Sequence, residues 1–482
     1  MTAGSATAPG APPFVILGGG PCGLAAAWHL ARAGHKPIVL EREANVGGLC
    51  ATHEKDGWRF DLGGHRFVSS DAALTLWLER LLGDELLVQE RKSVVLHDGR
   101  RFRYPLEAGD LIRNLGVREN ARALVGYAAA RVQNRITPSP DATFEEWVSS
   151  RFGRPLYDAF FGPYTEKLWG REPRAISADW AAERISLLGL GDAALRMVGL
   201  RSAPIRTYAR RYLYPRLGMG QLYEAVARDI EAHGGVVRTG ARAVGIESVG
   251  ARVVAVRVST SSGIERVPVG QLLSTIALPE LVRQIRPVLP VELDQAARAL
   301  RFRALTFVNV PLARRDVSEN TWMYVASRRY SISRIQEPKR RSEAMAPDGR
   351  TSLMLEIPCD AGDETWSAST PALRDRVAGE LRALGLGIDD ALDAWCVRVE
   401  HGYPVYHVGY ERDRQALLGA VARFENVRTA GRQGLFRYIF MDAAMQMGIA
   451  AAEQMIRGEQ GTRALDGIGR SRTVVEARAI TA

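Results

Sequence analysis

After a dozen residues rich in Ala, Gly and Pro, the chain opens on a short apolar run, Phe14 to Leu17, that breaks at Gly18-Gly19-Gly20. Such a run, bounded by turn residues, predicts a buried strand. Apolar residues then recur at helical spacing, which predicts a helix over Pro21 to Ala33, stopped by Gly34. A second apolar run, Pro37 to Leu40, predicts a strand that ends on Glu41. Alternation over 52–68 predicts a hairpin ending in Gly63-Gly64-His65. Asp71 to Leu82 has helical spacing, and Ser93 to Tyr104 reads as two strands around an Asp98-Gly99 turn.

The pattern then changes character. Residues 106–217 are mostly helical in period and carry many of the aromatics, which predicts an inserted helical domain. A helix is expected over 221–233, followed by β-branched strands from Val236 to Val258 and a buried strand from Leu272 to Ile276. Strand patterns dominate 300–358, in FRALTFVNVPL, WMYVAS, YSISRI and SLMLEIP, and suggest the floor of a substrate site. Thr370 to Leu386 is a predicted helix. From 395 the chain is expected to re-enter the first domain and to end in a helix from Met441 to Gly458, with a frayed polar tail beyond.

Composition adds bounds. At 482 residues, two domains or one interleaved unit are expected. No run approaches the roughly 18 apolar residues that span a membrane. The first dozen residues lack a basic start and an apolar core, so they read as a lead-in and not a signal peptide, and a cytoplasmic location is expected. Cys22, Cys50, Cys359 and Cys396 are scattered and suggest neither a metal site nor a disulfide framework. The formal charge is +10, with five Lys against 59 Arg. A solvated basic surface is one reading of that excess and an anionic ligand the other. The basic residues are dispersed, so nucleic acid is not an expected partner.

The first thirty residues of ordered pattern carry the chemistry. Gly18, Gly20 and Gly23 make a G-x-G-x-x-G spacing between a strand and a helix. The first permits the tight turn, the second lets backbone approach a pyrophosphate, and the third lets helix and strand pack closely. The helix start offers free N–H groups to phosphate, and Glu41 lies where an acid accepts ribose hydroxyls. The continuation Glu41-Arg42, then Gly47-Gly48, resembles the extended fingerprint of FAD-binding proteins of the glutathione-reductase type.

Three further stretches widen the resemblance: FDLGGHRF, the segment from Phe144 to Ile185, and AGRQGLFRYIFMDAAMQMG from Ala430 to Gly448. With them the chain resembles a superfamily that holds UDP-galactopyranose mutases, protoporphyrinogen oxidases, flavin amine oxidases and phytoene desaturases. The sheet segment 322–366 is most similar to the bacterial protoporphyrinogen-oxidase-like FAD oxidoreductases. The resemblance implies an α/β protein: a Rossmann-like FAD-binding domain of glutathione-reductase type, interleaved with a mixed-sheet substrate domain and a helical insertion. The implied boundaries are FAD-binding parts at 12–105, 218–276 and 395–460, a helical cap at 106–217, a substrate sheet at 277–394 and a tail at 461–482.

Site residues follow from the same resemblance. Gly64 and His65 would run beside the flavin ring, with His65 the candidate base. Gly431-Arg432 would meet the FAD phosphates, Met441 would open a helix toward the flavin, and Val237 would join the cofactor contacts. Trp180 and Arg184 match the nucleotide-sugar site of the mutases, Tyr438 matches a phosphate-contacting tyrosine, and Arg334 matches a second diphosphate arginine. Arg340 and Arg341 compete for that last place. Phe436 and Phe440 depart from the mutase pattern, which has Tyr and Asp there. Tyr164, Lys167 and Trp169 are either site residues or packing. Segment 187–217 is either a tunnel mouth resting on a membrane surface or an ordinary amphipathic helix with a basic loop.

The implied function is an FAD-dependent oxidoreductase that moves hydride from a polar, glycosyl or phosphorylated small molecule to flavin N5. The alternatives are a sugar-nucleotide mutase using reduced FAD, a protoporphyrinogen-oxidase-like or desaturase-type dehydrogenation, and a flavoprotein without turnover. The strand Phe302 to Leu312 lacks the Lys that simple amine oxidases place near N5, which argues against that chemistry.

Overall fold

The computed structural model describes residues 13–97, 99–104, 114, 116–184, 211–286 and 288–470. Its first layer is a five-stranded parallel sheet. Strand β1 (Phe14–Leu17) lies at the centre, between β2 (Ile38–Leu40) and β13 (Gln271–Ser274), with β9 (Val236–Arg238) and β19 (Val427–Thr429) at the edges. Val15, Ile16 and Leu17 are all buried, as expected of a strand covered on both faces. Helix α1 (Pro21–Arg32) follows the triple-Gly turn with Pro at its first position and no side-chain cap, so its first N–H groups stay open.

A second layer is a seven-stranded sheet in the order β18-β14-β17-β16-β15-β6-β7. Its strands are β6 (Ser93–His97), β7 (Arg100–Arg103), β14 (Phe302–Leu312), β15 (Trp322–Val325), β16 (Arg334–Gln336), β17 (Thr351–Cys359) and β18 (Trp395–Pro404). Two antiparallel two-stranded sheets accompany these layers. Strands β3 (Thr52–Lys55) and β4 (Trp58–Asp61) form one, and β5 (Leu86–Glu90) with β8 (Arg211–Pro215) forms the other. Strands β10 (Arg242–Val249), β11 (Arg252–Thr260) and β12 (Gly263–Pro268) make a small antiparallel sheet whose apolar face joins the first core.

The remaining helices used below are α2 (Ala72–Leu82), α3 (Val117–Ile136), α4 (Phe144–Phe152), α5 (Gly162–Trp169), α6 (Ala178–Arg184), α7 (Met219–Ala232), α8 (Thr370–Ala383), α9 (Tyr410–Val421), α10 (Met441–Arg457) and α11 (Arg463–Arg470). Helices α1 and α10 cross in close contact. A Cβ on Gly448 would fall 2.1 Å from the Cys22 carbonyl oxygen, and one on Gly23 would fall 2.0 Å from that of Gly18. Gly448 thus lets α10 lie directly on the first turn of α1.

Several expectations need correction. Strands β6 and β7 belong to the seven-stranded sheet, so the chain leaves the first layer before residue 93, not at 105. Strand β18 pairs with β14, so the chain returns only after Pro404. The stretch expected to be helical to 217 ends in β8, which pairs with β5. Of YSISRI only Arg334 and Ile335 lie in strand β16. The tail after 458 contains α11, which is tied down by charge: buried Asp466 accepts from Arg414 Nη2 at 3.0 Å and pairs with Arg437. Its position is set by partners 29 and 52 residues away, which local polarity does not reveal.

Candidate functional site

A cavity of about 1220 Å³ runs from the β1–α1 turn to the faces of β15, β16 and β18. At one end its wall holds Gly18, Gly20, Pro21, Glu41, Arg42 and Gly48. Glu41 is buried and braces the turn: its carboxylate accepts from Gly19 N at 2.7 Å and from Glu43 N at 2.8 Å. Burial raises its pKa, although both backbone bonds pull the other way. Gly20 faces open space, the nearest atom to a Cβ there being Gly48 Cα at 3.9 Å. Gly431, with φ +83, lies against Cys22 in the first turn of α1. Arg432 and Met441 continue the wall. Two helix starts, Pro21 and Met441, thus open onto one cavity whose glycines leave room for a phosphate-bearing ligand. Asp442 also lines it, and burial pushes its carboxyl up to about 6.

The middle of the cavity is shaped by the β4 hairpin. Asp61 is fully buried and accepts from Thr52 Oγ1 at 2.7 Å, Tyr214 Oη at 2.6 Å and Met219 N at 3.0 Å, which fixes the hairpin to the start of α7. Beyond it, His65 Nε2 lies 3.0 Å from the Leu62 carbonyl, so that nitrogen carries the proton and donates. Its Nδ1 faces Cys50 Sγ at 3.8 Å. Burial lowers the His65 pKa to about 4, so the ring is neutral at pH 7. A Cβ on Gly64 would fall 2.4 Å from Arg334 Nη1, so a side chain there would displace this guanidinium.

The far end is aromatic around one buried ion pair. Arg334 Nη2 donates to Glu356 Oε1 at 3.2 Å and to Tyr403 Oη at 3.3 Å, while Tyr403 Oη donates to Glu356 Oε1 at 3.1 Å. Burial is the largest single influence and opposes the Arg334 charge, but Glu356 together with Tyr403, Tyr324 and Tyr164 holds the guanidinium pKa well above its ordinary value. Burial and Glu356 together push the Tyr403 phenol well up, so it stays protonated. Tyr403 stacks on Tyr438 at 5.5 Å, Trp180 meets Tyr438 edge-on at 5.1 Å, and Arg432 sits 4.3 Å over the Tyr438 ring. Tyr324 lies under Arg334 at 5.6 Å and meets Tyr164 edge-on.

Most of the residues singled out from sequence therefore share one wall: Gly18, Gly20, Glu41, Arg42, Gly48, Gly64, His65, Trp180, Arg334, Gly431, Arg432, Tyr438 and Met441. Three do not. Gly23 serves helix packing, and Gly47, with φ +105, turns the loop and donates its N–H to Gly19 O at 2.8 Å. Val237 sits in β9 opposite Val39 and is not part of the cavity wall. The Arg184 side chain and segment 185–210 lie outside the described residues. Arg341 is buried behind the wall beside Asp61, and Arg340 pairs with Asp316 on another face, so neither competes with Arg334. Lys167 points away, donating to the carbonyls of Val325, Ser327 and Ile332. Sequence reasoning missed Glu356 and Tyr403. Both read as ordinary strand positions, and only sheet register brings them to Arg334.

The model of the flavin-containing amine oxidoreductase family matches residues 21–456. The chain belongs to this family. Its cofactor is FAD. Among solved structures, this member of the family is similar to reduced UDP-galactopyranose mutase, with TM-score 0.79 and 22% identity over 96% of this chain and 99% of that one. Putrescine oxidase bound to putrescine follows at TM-score 0.62 and 18% identity, over 92% and 99%. These likenesses concern the fold. In sequence, phytoene dehydrogenase of Streptomyces griseus is 26% identical over 78% of this chain and 80% of its own length. Protoporphyrinogen oxidase 1 of Spinacia oleracea is 29% identical over 36% of this chain, and the match spans about a third (32%) of that relative.

Proposed function

We propose that the chain is an oxidoreductase that uses FAD to oxidise a polar small molecule of glycosyl or phosphorylated type, bound at the tyrosine end of the cavity. One observation carries this reading. A continuous cavity joins the G-x-G-x-x-G turn to the Tyr403–Tyr438–Trp180 cluster and the Arg334–Glu356 pair.

In this reading the first layer is a Rossmann-like domain of glutathione-reductase type. The starts of α1 and α10, Gly18, Gly20 and Gly431-Arg432 hold the pyrophosphate, and Glu41 accepts from the ribose with lone pairs that Gly19 and Glu43 leave free. Arg42 and Gly48 complete that end. When bound, FAD supplies a two-electron acceptor for a substrate carbon–hydrogen bond. The chain's own groups orient the substrate. Tyr438 and Tyr403 offer ring faces and hydroxyls, Trp180 closes the side, and Arg334 presents a guanidinium already paired with Glu356. Such a charge suits a hydroxyl-rich or singly anionic group better than a free diphosphate. His65 serves as a neutral wall group held by Leu62, because a pKa near 4 makes Nδ1 a weak base at pH 7.

A sugar-nucleotide mutase is the second reading. It is favoured by the gathering of Trp180, Arg334 and Tyr438 in one cavity. Against it, Phe436 turns inward onto Phe302 at 5.0 Å, and Phe440 brings no polar group.

The test is an anaerobic titration of the flavin band near ~450 nm with sugar nucleotides, glycosides, amines and porphyrinogens. Bleaching by a glycosyl or phosphorylated compound is expected. Turnover of a sugar nucleotide only after chemical reduction, with no bleaching, replaces the proposal with the mutase.

A further inference from the structure

Helix α3 has its amphipathic pattern reversed. None of its twenty residues is buried. The positions turned to the protein, half-buried, are Asn120, Ala123, Gly126, Tyr127, Ala130 and Asn134. Contact with the body is close there, since a Cβ on Gly126 would come within 2.5 Å of Pro155. The outward side carries Val117 at 88% exposure, Leu124 at 64%, Val125 at 68%, Val132 at 58% and Ile136 at 74%. At 100° per residue these five, with Ala121 and Ala128, fall within about 120° of the circumference. Exposed arginines border the stripe, Arg131 on one flank and Arg118 and Arg122 on the other, while Arg135 falls within the same arc near its C-terminal end. The helix's single carboxylate, Glu119, is tied to Arg100 at 3.1 Å.

We infer that α3 docks this protein on an anionic lipid surface. An apolar stripe in water is unfavourable, and long basic side chains on both flanks are what a helix lying in a headgroup layer uses, stem in the apolar zone and charge among phosphates. A second copy of the chain is a poorer occupant. A two-fold contact would set the arginine rows against one another. A stripe about 30 Å long and about 10 Å wide also offers far less than the roughly 800 Å² per partner of a stable dimer. The contact is peripheral, because no helix among the described residues is long and apolar enough to cross a membrane. The lobe beneath α3 also contributes Phe160 and Phe161 to the cavity wall.

The test uses FAD-loaded protein sedimented with phosphatidylcholine vesicles, with and without phosphatidylglycerol. Binding to the anionic vesicles only, weakened by salt, is expected. In the double variant Val125→Glu and Val132→Glu the bound fraction should fall about tenfold while the flavin spectrum and melting temperature stay unchanged. Replacing Arg118, Arg122 and Arg131 by Gln should remove the preference for the anionic lipid. No binding to phosphatidylglycerol vesicles, or binding that survives the double variant, overturns the inference. So does a dimer in solution that the double variant dissociates, which would assign the stripe to a second copy.

Discussion

Two residues at opposite ends of the cavity show how position sets chemistry. Glu41 closes β2 and spends one lone pair on each of two backbone N–H groups. Glu41→Ala removes the turn brace and, under the proposed function, the ribose acceptor. FAD retained per chain after gel filtration should fall at least about tenfold, as for a lost pair of charge-assisted bonds; full retention would place the ribose elsewhere. His65 tests the neutral-wall reading by pH. Its folded pKa, about 4, lies below the ordinary 6.5. The unfolded chain therefore takes up this proton first as pH falls, and stability is lost progressively between 6.5 and 4. The full loss is of order 3 kcal/mol. In His65→Gln the melting temperature should decline less steeply over that window, and parallel curves for the two proteins would show that His65 titrates alike in the folded and unfolded chain. Gly64 is legible as a glycine, but the reason for it is not, since the guanidinium that would strike its Cβ lies 270 residues further on.

At the scale of elements, the crossing of α1 and α10 decides whether two helix starts can face one ligand. Gly448 is the contact. Gly448→Ala drives a methyl toward the Cys22 carbonyl, and backbone cannot yield as a side-chain tip can. A loss of about 1–3 kcal/mol in a denaturant melt is expected, together with lower FAD occupancy, because α10 shifts off the cavity. Helix α11 acts at a distance. Its Asp466 shares Arg414 and Arg437 with Glu411, and Arg437 directly precedes Tyr438 in the wall. Asp466→Asn leaves the two buried guanidinium groups to Glu411 and should cost about 1.5–3 kcal/mol by the same melt. The segment between α10 and the preceding Gly431-Arg432 is also turned by Phe436 at φ +49, a left-handed value rare for a bulky residue. Helix periods and the β1–α1–β2 unit were legible because they rest on neighbours in sequence. The strand character of 211–215 and the helix at 463–470 were not, since each is held by partners far along the chain.

Across the whole molecule, the cavity is built by two layers that the chain visits in alternation. Removal of FAD should lower the melting temperature, and added FAD at a hundred times its Kd should restore about 2.7 kcal/mol. If the layers unfold together, one transition moves; two separate transitions, only one responding to FAD, would show that the sheets are independent. Local chemistry along the chain was enough for the cofactor class, because a glycine turn, a helix start and a terminal acid lie within thirty residues and act through backbone. Trp180, Arg334 and Tyr438 were candidates through the family resemblance alone, and the fold gathers them in the same cavity as Gly18, Gly20, Glu41 and Arg432. The pairing of Arg334 with Glu356 and Tyr403, the neutral state of His65 and the outward apolar face of α3 were decided by tertiary structure alone. Each depends on burial and sheet register, quantities that exist only once distant segments have packed.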